Sequence, residues 1–225
     1  HVEAILKAAP GPIRWILVTH THQDHSPAAN ELRERTGAQV LGRIANYPQN
    51  QDPAFKPDRI LAHGERLAID QDTTLAVFHT PGHASNHLCY LLEQEQMLFT
   101  GDHVMQTSTV VIGPPDGDMA AYLESLRALL KVELSWFAPG HGFLMAQPHK
   151  ALEGIVAHRL RREAKVLEAV TELAGADTDA LLARVYDDVK PGLHPVARRS
   201  LTAHLQKLVA DGRVRHDNDR WSAAG

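Results

Sequence analysis

Apolar residues follow two rhythms along this chain. Up to residue 147, short apolar runs alternate with amphipathic stretches, the pattern of alternating strands and helices. Val2, Ile5 and Leu6 predict a short opening helix, and Trp15-Ile16-Leu17-Val18 a strand over 14–19. Residues 26–36 read as a helix with Ser26 as N-cap and Pro27 at its first position. Residues 37–41 read as the next strand, and the polar, proline-bearing segment 42–58 as a long surface loop. Strands are expected at 66–69, 74–79, 87–92 and 97–100, the last two joined by a polar turn at 93–96. Leu123, Leu126, Leu129 and Leu130 mark an amphipathic helix over 118–131, and Trp136-Phe137-Ala138 a final strand.

From residue 148 the period becomes helical. Leu152, Ile155, Val156, Leu160 and Leu167 predict one apolar stripe on a long helix, broken at Gly175-Ala176-Asp177. A short helix over 178–185 follows. A second opens at His194-Pro195, carries Leu201, Leu205 and Leu208 inward and ends at Gly212. Arg213-Val214-Arg215 and Arg220-Trp221-Ser222 flank turn residues, predicting a small hairpin. Helix, helix, hairpin is the outline of a winged helix. The expected division is a catalytic domain over 1–147 and a helical, winged-helix domain over 148–225.

Composition narrows the classes. A chain of 225 residues, 44% hydrophobic and with net charge −4, can bury one large core and a small one. No apolar run approaches the roughly 18 residues of a membrane span, and no secretory signal is visible. The single cysteine, Cys89, suits a reducing compartment, so a cytoplasmic location is expected. The first residue is His1 rather than methionine, so an upstream part is expected to precede it. Fifteen histidines are the unusual count.

Those histidines cluster at strand ends. His20 and His22, two apart behind a strand, point to one face and can chelate one ion, while the following turn swings Asp24 and His25 toward a second position. Three more ligand-grade residues end later strands: His83 in Thr80-Pro81-Gly82-His83, Asp102 in Thr100-Gly101-Asp102-His103, and His141 in Pro139-Gly140-His141. His63, His79 and His149 stand alone and read as structural.

His-x-His-x-Asp-His, Thr-Pro-Gly-His, Gly-Asp and Pro-Gly-His-Gly, in that order, resemble the metallo-β-lactamase fold hydrolases over residues 14–145. The resemblance implies an α/β, αββα sandwich of two mixed sheets, its first strands upstream of His1. It implies two Zn²⁺ ions per chain, one on His20, His22 and His83 and one on Asp24, His25 and His141, bridged by Asp102. A metal-bridging hydroxide would then attack an ester, with Asp24 either a pure ligand or the holder of the water's proton. Asp24 and Asp102 are the expected catalytic residues. His87 and His103 are candidates for substrate contact or for support behind the ligands. Metallo-β-lactamases themselves usually carry cysteine where Asp102 stands, so β-lactam hydrolysis is not expected. Mononuclear-iron persulfide dioxygenases share much of the motif.

Nearly the whole chain resembles the beta-lactamase-like hydrolases that end in a winged helix, which include a mitochondrial endoribonuclease. That implies a phosphodiesterase acting on single-stranded RNA, mitochondrial if the source is eukaryotic. The charge balance turns from acidic before residue 148 to slightly basic after it. Arg199, Lys207, Arg213 and Arg215 are the expected phosphate contacts, unless the module only packs against the catalytic domain or a second subunit. The alternatives are a thioester hydrolase of glyoxalase II type and a metal-binding winged-helix regulator. Expected partners are an anionic ester, single-stranded RNA or a second copy of the chain, and no membrane.

Overall fold

The computed structural model describes residues 1–106 and 108–224. After α1 (Val2–Ala8), β1 (Trp15–Leu17) and β2 (Gln39–Gly42) pair in parallel, Trp15 opposite Gln39. Parallel neighbours require a crossover, here α2 (Ala28–Thr36). β3 (Arg59–Ile60) adds in parallel to β2 at the end of the long loop, a two-residue strand too short to show alternation. This sheet is parallel throughout rather than mixed, because each connection returns the chain in the same direction.

The second sheet runs in the order β4 (Arg66–Ala68), β5 (Thr74–His79), β6 (Leu88–Leu92), β7 (Met97–Gly101), β8 (Trp136–Pro139), β9 (Met145–Ala146). Its neighbours are antiparallel except β7 and β8, where α3 (Met119–Leu129) makes the crossover. Asp118 caps α3, accepting the Ala121 N–H at 2.9 Å. Trp136 to Ala138 is therefore not the last strand: β9 folds back on it with two pairs, Trp136–Ala146 and Phe137–Met145.

Apolar faces meet in layers. Leu41, Leu61, Leu67, Val77, Leu88 and Tyr90 fill the space between the sheets. Ala29 of α2 covers the outer face of the first sheet with Val18, Val40 and Phe55. Leu98 and Phe137 of the second sheet meet Leu123 and Leu126 of α3 on the other side. The result is the αββα sandwich. Ser26 does not cap α2. Pro27 takes that position, and Ser26 Oγ donates to Asp52 Oδ2 at 2.9 Å, tying the helix start to the long loop.

α4 (Pro148–Glu172) serves two cores. Leu152 joins the catalytic core, whereas Val166, Ala169 and Val170 join α5 (Thr178–Val185) and α6 (His194–Ala210) in a second one. The expected single stripe fails between them: Leu160 is 39% exposed, and Arg159 and Glu163 are buried. At the junction Arg159 donates to the Val110 carbonyl and lies over the Tyr122 ring. β10 (Val214–Asp217) and β11 (Arg220–Ala223) form the wing. Asn218 and Asp219 between them both have positive φ, 48° and 59°, as a two-residue hairpin turn of the right twist demands. Among the described residues no helix is long and apolar enough to cross a membrane.

Candidate metal centre

Four loops converge on one edge of the sandwich. His20 and His22 follow β1, Asp24 and His25 form the turn before α2, and His83, Asp102 and His141 follow β5, β7 and β8. The turn is closed by the His25 N–H, which donates to the His22 carbonyl at 3.0 Å, and His22 is bridged to Gln51. Gly101 brings Asp102 close to the first loop. Its φ is +47°, and a side chain there would meet His87 Nε2 and Thr19 Oγ1 at 2.8 Å.

The seven side chains form two triads with a carboxylate between them. His22 Nδ1 lies 3.0 Å from both His20 Nε2 and His83 Nε2. Asp24 Oδ2 lies 3.5 Å from His25 Nε2 and 3.3 Å from His141 Nε2. Asp102 faces both groups: Oδ2 is 3.7 Å from His83 Nε2, and Oδ1 is 3.3 Å from His25 Nε2 and 3.5 Å from His141 Nε2. His20 is buried, whereas Asp24 is exposed and the His141 side chain is 43% exposed. The second triad is therefore the open side.

The chemistry of these donors fits divalent cations. Burial pushes His20 well below its ordinary pKa, His83 down to about 4 and His22 downward. These rings are neutral at pH 7, the form that ligates metal. The Val111 carbonyl faces His83 Nδ1 at 2.8 Å, so the proton sits there and Nε2 turns a lone pair inward. Asp102 Oδ1 and His25 Nε2 are buried with no hydrogen-bond partner among the described residues. Converging lone pairs and an orphaned carboxylate oxygen are costly unless a cation sits among them. Imidazole and carboxylate donors without thiolate suit zinc, iron or manganese.

His87 and His103 do not face the cavity. His87 is fully buried; its Nε2 accepts the Asp102 backbone N–H at 3.2 Å, and its Nδ1 meets Thr80 Oγ1 at 3.0 Å. His103 packs against Tyr122 with ring centroids 4.9 Å apart, and burial pushes it down to about 3. Asp116 was not legible in the sequence. Its carboxylate accepts from Ser85 Oγ at 2.5 Å and Gln51 Nε2 at 3.1 Å, pinning the long loop to the one that carries His83. Nothing in the local pattern marks that contact, which links positions 65 residues apart.

The four basic residues of the C-terminal module separate. Arg199 lines a cavity of about 550 Å³ together with His22, Asp24, His83, Asp102 and His141. Lys207 is not an outward cation: its Nζ donates to Glu163 Oε1 at 3.1 Å and Asp211 Oδ2 at 2.7 Å, because α6 turns it toward α4. Arg213 is half-exposed, 3.9 Å from Glu163 Oε1, and Arg215 is exposed on β10.

The chain is similar to known proteins of one superfamily. Residues 2–141 match the family described as Metallo-beta-lactamase superfamily, and 178–221 match the beta-lactamase associated winged helix domain. The beta-lactamase-like protein 2 homolog of Drosophila melanogaster is 27% identical over 96% of this chain and 75% of that protein. The atrochrysone carboxyl ACP thioesterase of Aspergillus fumigatus is 30% identical over 72% of this chain, which spans only 48% of that protein. The solved beta-lactamase domain protein from Burkholderia ambifaria superposes with a TM-score of 0.83 at 23% identity, over 99% of this chain and 78% of that one. The chain belongs to the metallo-beta-lactamase superfamily of divalent-metal-dependent hydrolases and carries the associated winged helix after its catalytic domain.

Proposed function

We propose that this hydrolase is dinuclear and that its metal is zinc. His20, His22 and His83 would hold one ion, Asp24, His25 and His141 the other, and Asp102 both. The observation that carries this reading is the Asp102 carboxylate, whose two oxygens face different triads. Bound divalent ions supply Lewis acidity and bring the pKa of a water toward neutrality. The protein's own groups orient the reaction. Asp24, exposed at the open side and 3.3 Å from His141, is our candidate for holding the proton of the attacking water. His87 holds the backbone of Asp102 in place.

The proposed substrate is a compact ester, a thioester first. Water adds to the acyl carbon, the carbon–sulfur bond breaks, and the thiol leaves with a proton. A cavity of about 550 Å³ supports a small-molecule substrate, and one relative is named as a thioesterase. Single-stranded RNA is the second reading, favoured by the winged helix and by Arg213 and Arg215 on its wing. Lys207 weakens it, because Glu163 and Asp211 already occupy that cation. The test offers zinc-loaded protein an acyl thioester, a small phosphodiester and single-stranded RNA. Thioester turnover is expected to dominate. Cleavage of RNA far above the thioester rate would reverse the order.

A further inference from the structure

α6 brings one arginine to the mouth of the metal centre. Arg199 is the sole lysine or arginine among the described residues lining the cavity. It is held in register by its neighbour, since Ser200 Oγ accepts the Ile112 N–H at 3.4 Å. Its guanidinium lies directly against the Gly113 backbone: a side chain on Gly113 would come within 2.6 Å of Arg199 Nε and Nη2. Three other arginines of this module are paired, Arg198 with Asp179, Arg162 with Asp188 and Arg184 with Glu172, and Arg215 is exposed on the wing, away from the cavity lining. No described residue offers Arg199 a carboxylate at ion-pair distance. Of the three acids lining the cavity, Asp24 and Asp102 belong to the metal centre and Asp116 is engaged by Ser85 and Gln51. The cavity lining is mixed: Met105, Val110, Val111 and Pro115 supply its apolar part, and Ser108 and Thr109 are polar.

A guanidinium presents five donors in a fork that matches a carboxylate or a phosphate. Exposed at the cavity with no carboxylate partner among the described residues, it is open to an anion that arrives with the substrate. We propose that Arg199 is a specificity-determining residue that anchors a second anionic group of the substrate, a carboxylate or phosphate separated by a short apolar spacer from the bond that is cleaved. This rests on the ester-hydrolase reading above and narrows it to doubly functional acyl esters. It also gives the winged helix a role as one wall of the pocket.

The experiment compares pantetheine thioesters of butyrate, succinate and 3-phosphonopropionate on zinc-loaded protein. The wild type should prefer one or both anionic substrates by about 10–100-fold in kcat/KM, the range of a charged hydrogen bond, and the two arms separate carboxylate from phosphate. Arg199→Gln should bring that preference to within about threefold, mainly through KM, and Arg199→Lys should restore part of it. Gly113→Ala, which displaces the flexible guanidinium rather than the backbone, should mimic Arg199→Gln. A preference unchanged in Arg199→Gln overturns the proposal, as does an effect of that variant confined to RNA cleavage. Calorimetry of succinate, glutarate, adipate and 3-phosphonopropionate against butyrate reads the anchor without turnover. Tighter binding of a diacid or of 3-phosphonopropionate, lost in Arg199→Gln, supports Arg199 even where no thioester is hydrolysed and the substrate reading alone fails. Butyrate binding as tightly as both the diacids and 3-phosphonopropionate overturns it.

Discussion

His87 Nε2 accepts the backbone N–H of Asp102 at 3.2 Å, from a ring that is fully buried. A ring that accepts at Nε2 carries its proton on Nδ1, so Thr80 Oγ1 accepts from it at 3.0 Å; Cys89 Sγ lies 3.2 Å beyond that hydroxyl. A chain of polar contacts thus runs from the core to the residue between the two triads. His87→Ala should leave the Asp102 N–H unpaired and lower metal affinity about 10–100-fold. It should also destabilise the fold by about 1–3 kcal/mol. Competition with a chelator and thermal unfolding measure the two effects. Undiminished metal affinity would show that Asp102 holds its place without His87.

Asp102 and Asp24 differ in reach. Asp102 faces both triads, whereas Asp24, among the described residues, is within ion-pair distance of His25 and His141 alone. Elemental analysis of the wild type should find two ions per chain. Asp24→Ala should keep the ion of the His20, His22 and His83 triad, while Asp102→Ala should lose metal from both and with it all turnover. Equal metal content and equal residual rates in the two variants would refute the distinction. A wild type with a single ion would refute the dinuclear reading itself.

The junction of α4 and α6 should make stability fall in acid. Burial lowers the pKa of His204, so its neutral form is favoured in the folded state. That contribution is complete above the ordinary value of 6.5 and shrinks as pH falls below it. Burial alone would raise Glu163, but its contacts with His204 and Lys207 outweigh that and hold it below 4.5. Its contribution is lost at lower pH still, as pH drops through the folded-state value. Both groups therefore destabilise in the same direction. At saturating metal, His204→Leu should flatten the decline of melting temperature below pH 6.5 relative to the wild type. Parallel curves would remove His204 as a cause.

Lys207 should matter for stability rather than for binding. Lys207→Ala takes the ammonium from the buried Glu163 carboxylate, a loss of about 1–3 kcal/mol, read as a lower melting temperature. Arg215→Ala, on the exposed strand of the wing, should leave the melting temperature within error. Should the RNA reading hold instead, Arg213→Ala with Arg215→Ala would flatten the salt dependence of RNA binding. Each lost phosphate contact takes roughly 0.7 from the log–log slope on single strands.

The sequence by itself determined the elements whose residues repeat with a clear period and the loops that follow them. α3 and α6 are marked by leucines three and four apart. The wing is marked by its turn residues, since Asn218 and Asp219 tolerate positive φ. His20, His22, Asp24, His25, His83, Asp102 and His141 stand out because side chains at strand ends beside tight turns are where a sandwich of this kind gathers its polar groups. Tertiary structure alone decided the rest. β3 and β9, two residues each, exist only because a neighbouring strand offers its hydrogen bonds. Arg159 and Glu163 are buried because α4 passes from one core to another, and a periodicity read on one helix cannot count its partners. Lys207 and Arg199 both lie off the apolar stripe of α6, and nothing local separates them. One meets the carboxylates of Glu163 and Asp211, the other meets Gly113 and the open cavity, because side chains on different faces of a helix take their roles from whatever packs there.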